Sequence, residues 1–213
     1  EIRNPLSIIS TSAETILQKD LPAQDLKRLA EYIRDETERM SALLNRILSF
    51  APQTELREHS ANVSEFVSRA FDLLGTQVRR KNIHLAVRCH EECCNAWMDR
   101  DALMQLLLNM AINAIEACSA GGEIVVSIKG KENMVEILFA NNGVPIEESE
   151  KEEIFLPFYT TKEKGTGLGL SISSRLVKDA GGSLELVEDG KYTGMIVFRI
   201  VLPAGKEQKW TEA

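Results

Sequence analysis

Apolar residues recur at steps of four and three through the first positions of the chain: Ile2, Leu6, Ile9, Ala13 and Ile16. Spacing of this kind lines one face of a helix and makes a heptad seam. Leu21-Pro-Ala-Gln-Asp25 interrupts it. A second seam runs through Leu26, Leu29, Ile33, polar Glu36, Met40, Leu43, Ile47 and Phe50, and Ala51-Pro52 closes it. The pattern predicts two helices of about twenty and about twenty-eight residues joined by a short turn. A lone hairpin cannot bury both seams. Two copies make a four-helix bundle, so the expected state is a homodimer. A coiled-coil dimerisation module with no chemistry is the other reading of the hairpin taken alone.

From Pro52 the periodicity changes. Residues 52–60 read as a polar connector, and 63–78 as an amphipathic helix through Phe66, Val67, Ala70, Phe71 and Leu74. Short strands are expected at 83–87 and 96–98. Residues 101–118 form a helix that is apolar nearly all round, the mark of a buried helix. Yet Gln105, Asn109, Asn113 and Glu116, at steps of four, four and three, lay a polar stripe along one face. Buried polar groups must be paired. Either the stripe is satisfied internally, or it borders a ligand cavity in which an Asn carbonyl meets a magnesium ion. Strands at 123–129 and 134–140 flank a turn at 130–133, and a second hairpin at 183–188 and 195–202 turns at Asp189-Gly190. Helices and hairpins interleave without βαβ repeats. The expected class is therefore α+β, with a mixed sheet carrying helices on one face.

Composition narrows the function. The 213 residues, 44% of them hydrophobic, can fill one large or two small cores. A net charge of -7 argues against a nucleic-acid partner. No apolar run reaches the roughly eighteen residues of a membrane span. The chain opens on Glu1 inside a helical pattern, so a piece of a longer protein is expected, with any membrane attachment in segments outside it. In Cys89-His-Glu-Glu-Cys-Cys94 the thiols lack paired Cys-x-x-Cys spacing, and a thiol-bearing loop is expected rather than a metal site.

The candidate chemistry centres on Phe155-Leu-Pro-Phe-Tyr-Thr-Thr-Lys162 and Gly165-Thr-Gly-Leu-Gly-Leu170, followed by a helical pattern through Ile172, Leu176 and Val177 that stops at Gly181-Gly182. Glycines opening a helix suit an anion, because first-turn N–H groups are unpaired and the helix dipole favours negative charge. Lys162 is a possible charged partner. The stretch is neither a Walker A loop nor a dinucleotide fingerprint, and alone it also fits a plain turn.

Taken together, Glu1-Ile-Arg-Asn-Pro-Leu6, Asn109-x-x-x-Asn113-Ala, Asn141-Asn-Gly143, Phe155-Leu-Pro-Phe158 with Thr160-Thr-Lys162, and Gly165-Thr-Gly-Leu-Gly169 resemble, in that order, a bacterial two-component sensor histidine kinase. The resemblance covers essentially the whole chain. It implies a dimerisation and histidine-phosphotransfer hairpin over 1–51, forming a dimeric four-helix bundle. Residues 52–213 would then be an α/β sandwich ATP-binding domain like those of gyrase and MutL. It also implies that Asn113 binds Mg²⁺ with Asn109 near the phosphates, and that Asn141 and Gly143 meet the adenine of ATP or ADP. Lys162 and the backbone of Gly165, Thr166, Gly167, Leu168 and Gly169 would hold the triphosphate, and residues 155–166 would be a mobile lid. Glu1 would be the general base for a His just upstream, Asn4 would orient a water for dephosphorylation, and the partner would be a response regulator receiver domain in the cytoplasm. Asn141 stands where the family usually has Asp, and Pro145 where it usually has Gly. A nucleotide-binding dimer scaffold without kinase activity is the alternative.

Overall fold

The computed structural model describes residues 3–17, 21–50, 60–90, 94–162 and 165–205, with the backbone alone at 3, 4, 23, 38–50 and 131. The chain divides into two compact units, Glu1–Thr54 and Glu55–Ala213.

The first unit is a helical hairpin, α1 (Arg3–Ile16) and α2 (Ala23–Phe50). As described, α1 has 14 residues, shorter than the spacing suggested. Within one chain the hairpin half-buries Ile9, Ala13, Ile16, Leu29 and Ile33 and leaves Leu6, Leu17 and Leu26 exposed. The side chains of Met40, Leu43, Ile47 and Phe50, also expected in the second seam, lie outside the described residues.

The second unit is α+β. In chain order it contains β1 (Ser60–Asn62), α3 (Val63–Leu73), α4 (Gly75–Arg80), β2 (His84–Cys89), β3 (Asn95–Trp97) and α5 (Arg100–Ala117). There follow β4 (Glu123–Lys131), β5 (Met134–Asn141), α6 (Gly169–Asp179), β6 (Ser183–Val187) and β7 (Ile196–Pro203). Five strands make one mixed sheet in the order β2-β4-β5-β7-β6, with β2 parallel to β4 and the other pairs antiparallel. Alternation along the strands sorts the two faces. Ile124, Val126, Ile128, Ile137, Phe139, Ile200 and Leu202 pack with α3, α5 and α6, whereas Val125, Leu138, Ala140 and Val197 turn the other way, beneath Tyr192.

Three local readings needed correction. The helix expected over 63–78 is two helices: at Leu74 (φ -95, ψ 5) the backbone leaves the helix, and α4 restarts at Gly75. Glycine has the weakest helix preference of any residue except proline, and Leu74 stays buried at the break. Of the connector expected over 52–60, residues 52–59 lie outside the described residues, and Ser60 instead opens β1, which pairs antiparallel with β3 in a separate two-stranded sheet. Helix α5 is not buried all round, since Met104, Leu108 and Ile112 are only half-buried.

Both ends of α5 are secured by side chains. Asp99 Oδ1 accepts from the N–H groups of Asp101 and Ala102 at 2.9 and 3.0 Å. At the other end Lys81 Nζ donates to the carbonyls of Ile115, Glu116 and Cys118 at 2.8, 3.2 and 2.8 Å. Orphan donors meet a carboxylate and orphan acceptors meet a cation, both favoured by the helix dipole.

Between β5 and α6 the chain makes 3₁₀ turns at Glu148–Glu150 and Glu153–Phe155. The Phe155 ring meets Phe198 edge-on at 6.3 Å, and the Tyr159 hydroxyl donates to Glu150 Oε1 at 2.8 Å. That hydrogen bond, with the neighbouring carboxylates, pushes the Tyr159 phenol up to about 12.

Asp99→Ala is expected to lower the unfolding free energy of the second unit by about 1 kcal/mol. Leu107→Ala, which empties a fully buried position, should cost about 2–5 kcal/mol. Denaturant titration of both variants checks the order. In an alkaline titration followed by phenolate absorbance, one tyrosine should ionise near pH 12. Glu150→Gln should return it towards the usual 10. Because the folded value is the higher, the stabilisation from this bond is complete below the unfolded value and is lost as pH rises through the folded one.

Candidate functional site

The polar stripe of α5 faces the segment that opens α6. Asn109 Nδ2 donates to the Gly169 carbonyl and to Ser173 Oγ, both at 3.4 Å. A Cβ built on Gly169 would lie 3.7 Å from Asn113 Nδ2 and 3.9 Å from its Oδ1, so the first residue of α6 packs against that carboxamide. Among the described residues the Asn113 amide makes no hydrogen bond of its own, and it is only half-buried. Glu116 Oε2, one turn on, meets Lys162 Nζ at 2.5 Å. The stripe is thus partly satisfied internally, at Asn109 and Glu116, while Asn113 keeps an accessible carboxamide.

At the start of α6 no side chain caps the helix, whose N-cap is Leu168. Its first N–H groups therefore have no side-chain acceptor. Gly167 is in the left-handed region (φ 66), and its carbonyl accepts from the N–H of Phe158 at 2.9 Å. A Cβ there would come within 2.6 Å of the Tyr159 carbonyl oxygen, so both conformation and space call for glycine. Phe158, on the facing strand of chain, is also left-handed (φ 70). Thr166 is exposed and Leu168 buried.

Asn141 ends the central strand β5 and is buried, and its Nδ2 has no hydrogen-bond partner. Gly143 fits tightly beside it: a Cβ would lie 2.7 Å from that of Ala117 and 2.8 Å from Asn141 Nδ2. The Asn141-Asn-Gly turn therefore packs against the last turn of α5. Asn142, which carried no role in the sequence reading, accepts the Glu123 N–H on Oδ1 at 2.7 Å and fixes the start of β4.

Of the residues expected at the site, Asn109, Asn113, Asn141, Gly143, Lys162 and Gly165 to Gly169 gather around α5 and the N-terminus of α6. Glu1 lies outside the described residues, as do the side chain of Asn4 and, in the segment expected as a lid, residues 163 and 164. Fully buried Ser173, the second partner of Asn109, was missed. Its small polar side chain within an otherwise apolar helix face was the available signal. His84 and His90 are exposed. The Cys89 and Cys94 sulfurs are 3.9 Å apart as thiols, and residues 91–93 between them lie outside the described residues. Among the described residues no group of three or more His, Cys, Asp or Glu side chains could hold a metal, and no helix is long and apolar enough to cross a membrane.

Residues 98–206 match the family described as histidine kinase-, DNA gyrase B- and HSP90-like ATPase, and residues 1–55 match the His kinase A (phospho-acceptor) domain. The sensor histidine kinase ZraS of Salmonella typhi is 29% identical over 98% of this chain and 45% of its own length. Sporulation kinase C of Bacillus subtilis is 31% identical over 95% of the chain and 46% of its own length. The chain therefore spans less than half the length of these curated relatives. Among solved structures, the catalytic domain of histidine kinase ThkA superposes with a TM-score of 0.65 at 32% identity, over 70% of this chain and 96% of that one. The structure of ThkA with the response regulator protein TrrA gives 0.71 at 28% identity, over 96% of this chain and 59% of that one. A helical hairpin, a mixed sheet with a polar-striped helix against a glycine loop, and family matches over both parts lead to one assignment: this chain belongs to the two-component sensor histidine kinases.

Proposed function

We propose that the chain is the cytoplasmic catalytic core of a protein-histidine kinase. It would bind ATP with Mg²⁺, promote phosphorylation of a His just upstream of Glu1 in a homodimer, and pass the phosphoryl group to an Asp of a response regulator. The observation that carries this reading is the accessible carboxamide of Asn113, packed on the first residue of an uncapped helix.

Phosphoryl transfer asks little covalent chemistry of the protein, so positioning and charge neutralisation are its task. Asn113 Oδ1 is a hard oxygen suited to magnesium, which takes one or two protein ligands and keeps several waters. When bound, that ion supplies neutralisation of charge between neighbouring phosphates. Asn109, tied to Gly169 and Ser173, holds α6 in register with Asn113. The N–H groups of residues 166–169 and the ammonium of Lys162 are the donors for phosphate oxygens, while the Gly165 N–H is given to the Lys162 carbonyl.

Asn141 supplies the base contact. Its Oδ1 can accept from the adenine amino group, and its orphaned Nδ2 can donate to an adenine ring nitrogen. An Asp would offer acceptors alone, so Asn in this position is compatible with adenine. Gly143 lets the turn lie flat against Ala117 beside it. In the hairpin, Glu1 acts as general base towards the attacking imidazole and Asn4 orients a water for dephosphorylation. The exposed Leu6, Leu17 and Leu26 of a single hairpin are the apolar surface that a second copy would cover.

In a chain extended upstream of Glu1 to include a His, Asn113→Ala should abolish Mg-ATP-dependent formation of acid-labile phosphate while leaving the circular dichroism spectrum unchanged. Labelling at the native rate would sink the assignment. Gly167→Ala should lower ATP affinity at least about tenfold in equilibrium titration, because the left-handed backbone and the Phe158–Tyr159 crossing leave no room for a methyl group.

A further inference from the structure

Lys162 and Glu116 are separated by 46 positions, yet their side chains meet at 2.5 Å. Both are partly open to solvent, at 40% and 47%. Each is also held from behind. The Lys162 N–H bonds to Thr160 Oγ1 at 3.1 Å, and its carbonyl accepts from Gly165 at 3.1 Å. Glu116 sits in the last turn of α5, where Lys81 binds its carbonyl and that of Ile115. The pair therefore joins two anchored backbones, one turn beyond Asn113.

A carboxylate and a phosphate are both acceptor-only anions, and an ammonium group is a compact cation that either can claim. In the proposed site the same Lys162 is a donor to nucleotide phosphate. We propose that Glu116 is a positioning residue that sets nucleotide affinity by competing for Lys162. Without nucleotide it keeps the ammonium beside Asn113; with nucleotide, Lys162 exchanges the carboxylate for phosphate oxygens. No bond is made or broken in this exchange. It rests on the phosphate role given to Lys162 above.

The sign of the effect separates this role from simple bracing. A brace that is removed loosens the site and weakens binding. A competitor that is removed strengthens binding. Calorimetric titration of the full chain with Mg-ATP should show Glu116→Gln tightening the Kd about two- to fivefold, the range expected for a partly exposed ion pair, with Glu116→Asp staying near the native value. In a Lys162→Met background, Glu116→Gln should leave the Kd unchanged. Weaker or unaltered binding by Glu116→Gln alone overturns the exchange. Equal tightening in both backgrounds also overturns it, in favour of direct repulsion between carboxylate and phosphate. Lys162→Met binding as tightly as the native chain overturns instead the phosphate role of Lys162, and absence of binding by the native chain overturns the proposed function itself.

Discussion

Helix α5 has to be core and site at once, and the second unit depends on how that conflict is resolved. Leu103, Leu106, Leu107 and Met110 fix one side of it in the apolar layer. The opposite stripe then points at α6 and the residues before it. A helix that slipped by one residue would rotate its side chains by about 100° and carry Asn113 away from Gly169. Asp99 and Lys81 remove that freedom. They satisfy the orphan groups at the two ends, so the register of the stripe is set by charged caps as well as by packing. The hydrogen bond from Gly121 to the Lys81 carbonyl adds a backbone tie at the same corner.

Much of this was legible in the residues, and the reasons differ by element. The period-two strands of the β4–β5 hairpin and the apolar run of α5 are local patterns, and they appear close to where the spacing put them. The polar stripe was legible for the same reason. Its partners were not: Asn109 reaches Ser173 across 64 positions, and no local pattern encodes such a contact. The cap at Lys81 was invisible for a similar reason, since a lysine before a strand looks like any solvated surface cation. Strand β1, Ser60-Ala-Asn62, was missed because it holds no β-branched or aromatic residue to mark a strand. The break at Leu74 was hidden because Leu74 continues the apolar period while its backbone departs from the helix. The Asp99 cap, in contrast, was available, an Asp just before an apolar run.

The segment across the site is built on another principle. Phe158 and Gly167 face each other, both left-handed and joined by one backbone hydrogen bond. For a phenylalanine that conformation carries a strain of order 1–3 kcal/mol. Leu156 and Phe158 are exposed, and among the described residues the Phe155 ring meets Phe198, Tyr159 meets Glu150 and Lys162 meets Glu116.

Strand β1 pairs with β3, Ala96 also bridges Ala204, and the N–H of Gly205 bonds to the Asn95 carbonyl at 2.8 Å. The first and last described stretches of the second unit, 60–62 and 204–205, are thus fastened to the same three residues. Tension applied between those two stretches would peel short strands from β3 one bond at a time. The five-stranded sheet would share that load, since the Ala204 N–H also bonds to the Asn133 carbonyl in the turn between β4 and β5 at 2.7 Å.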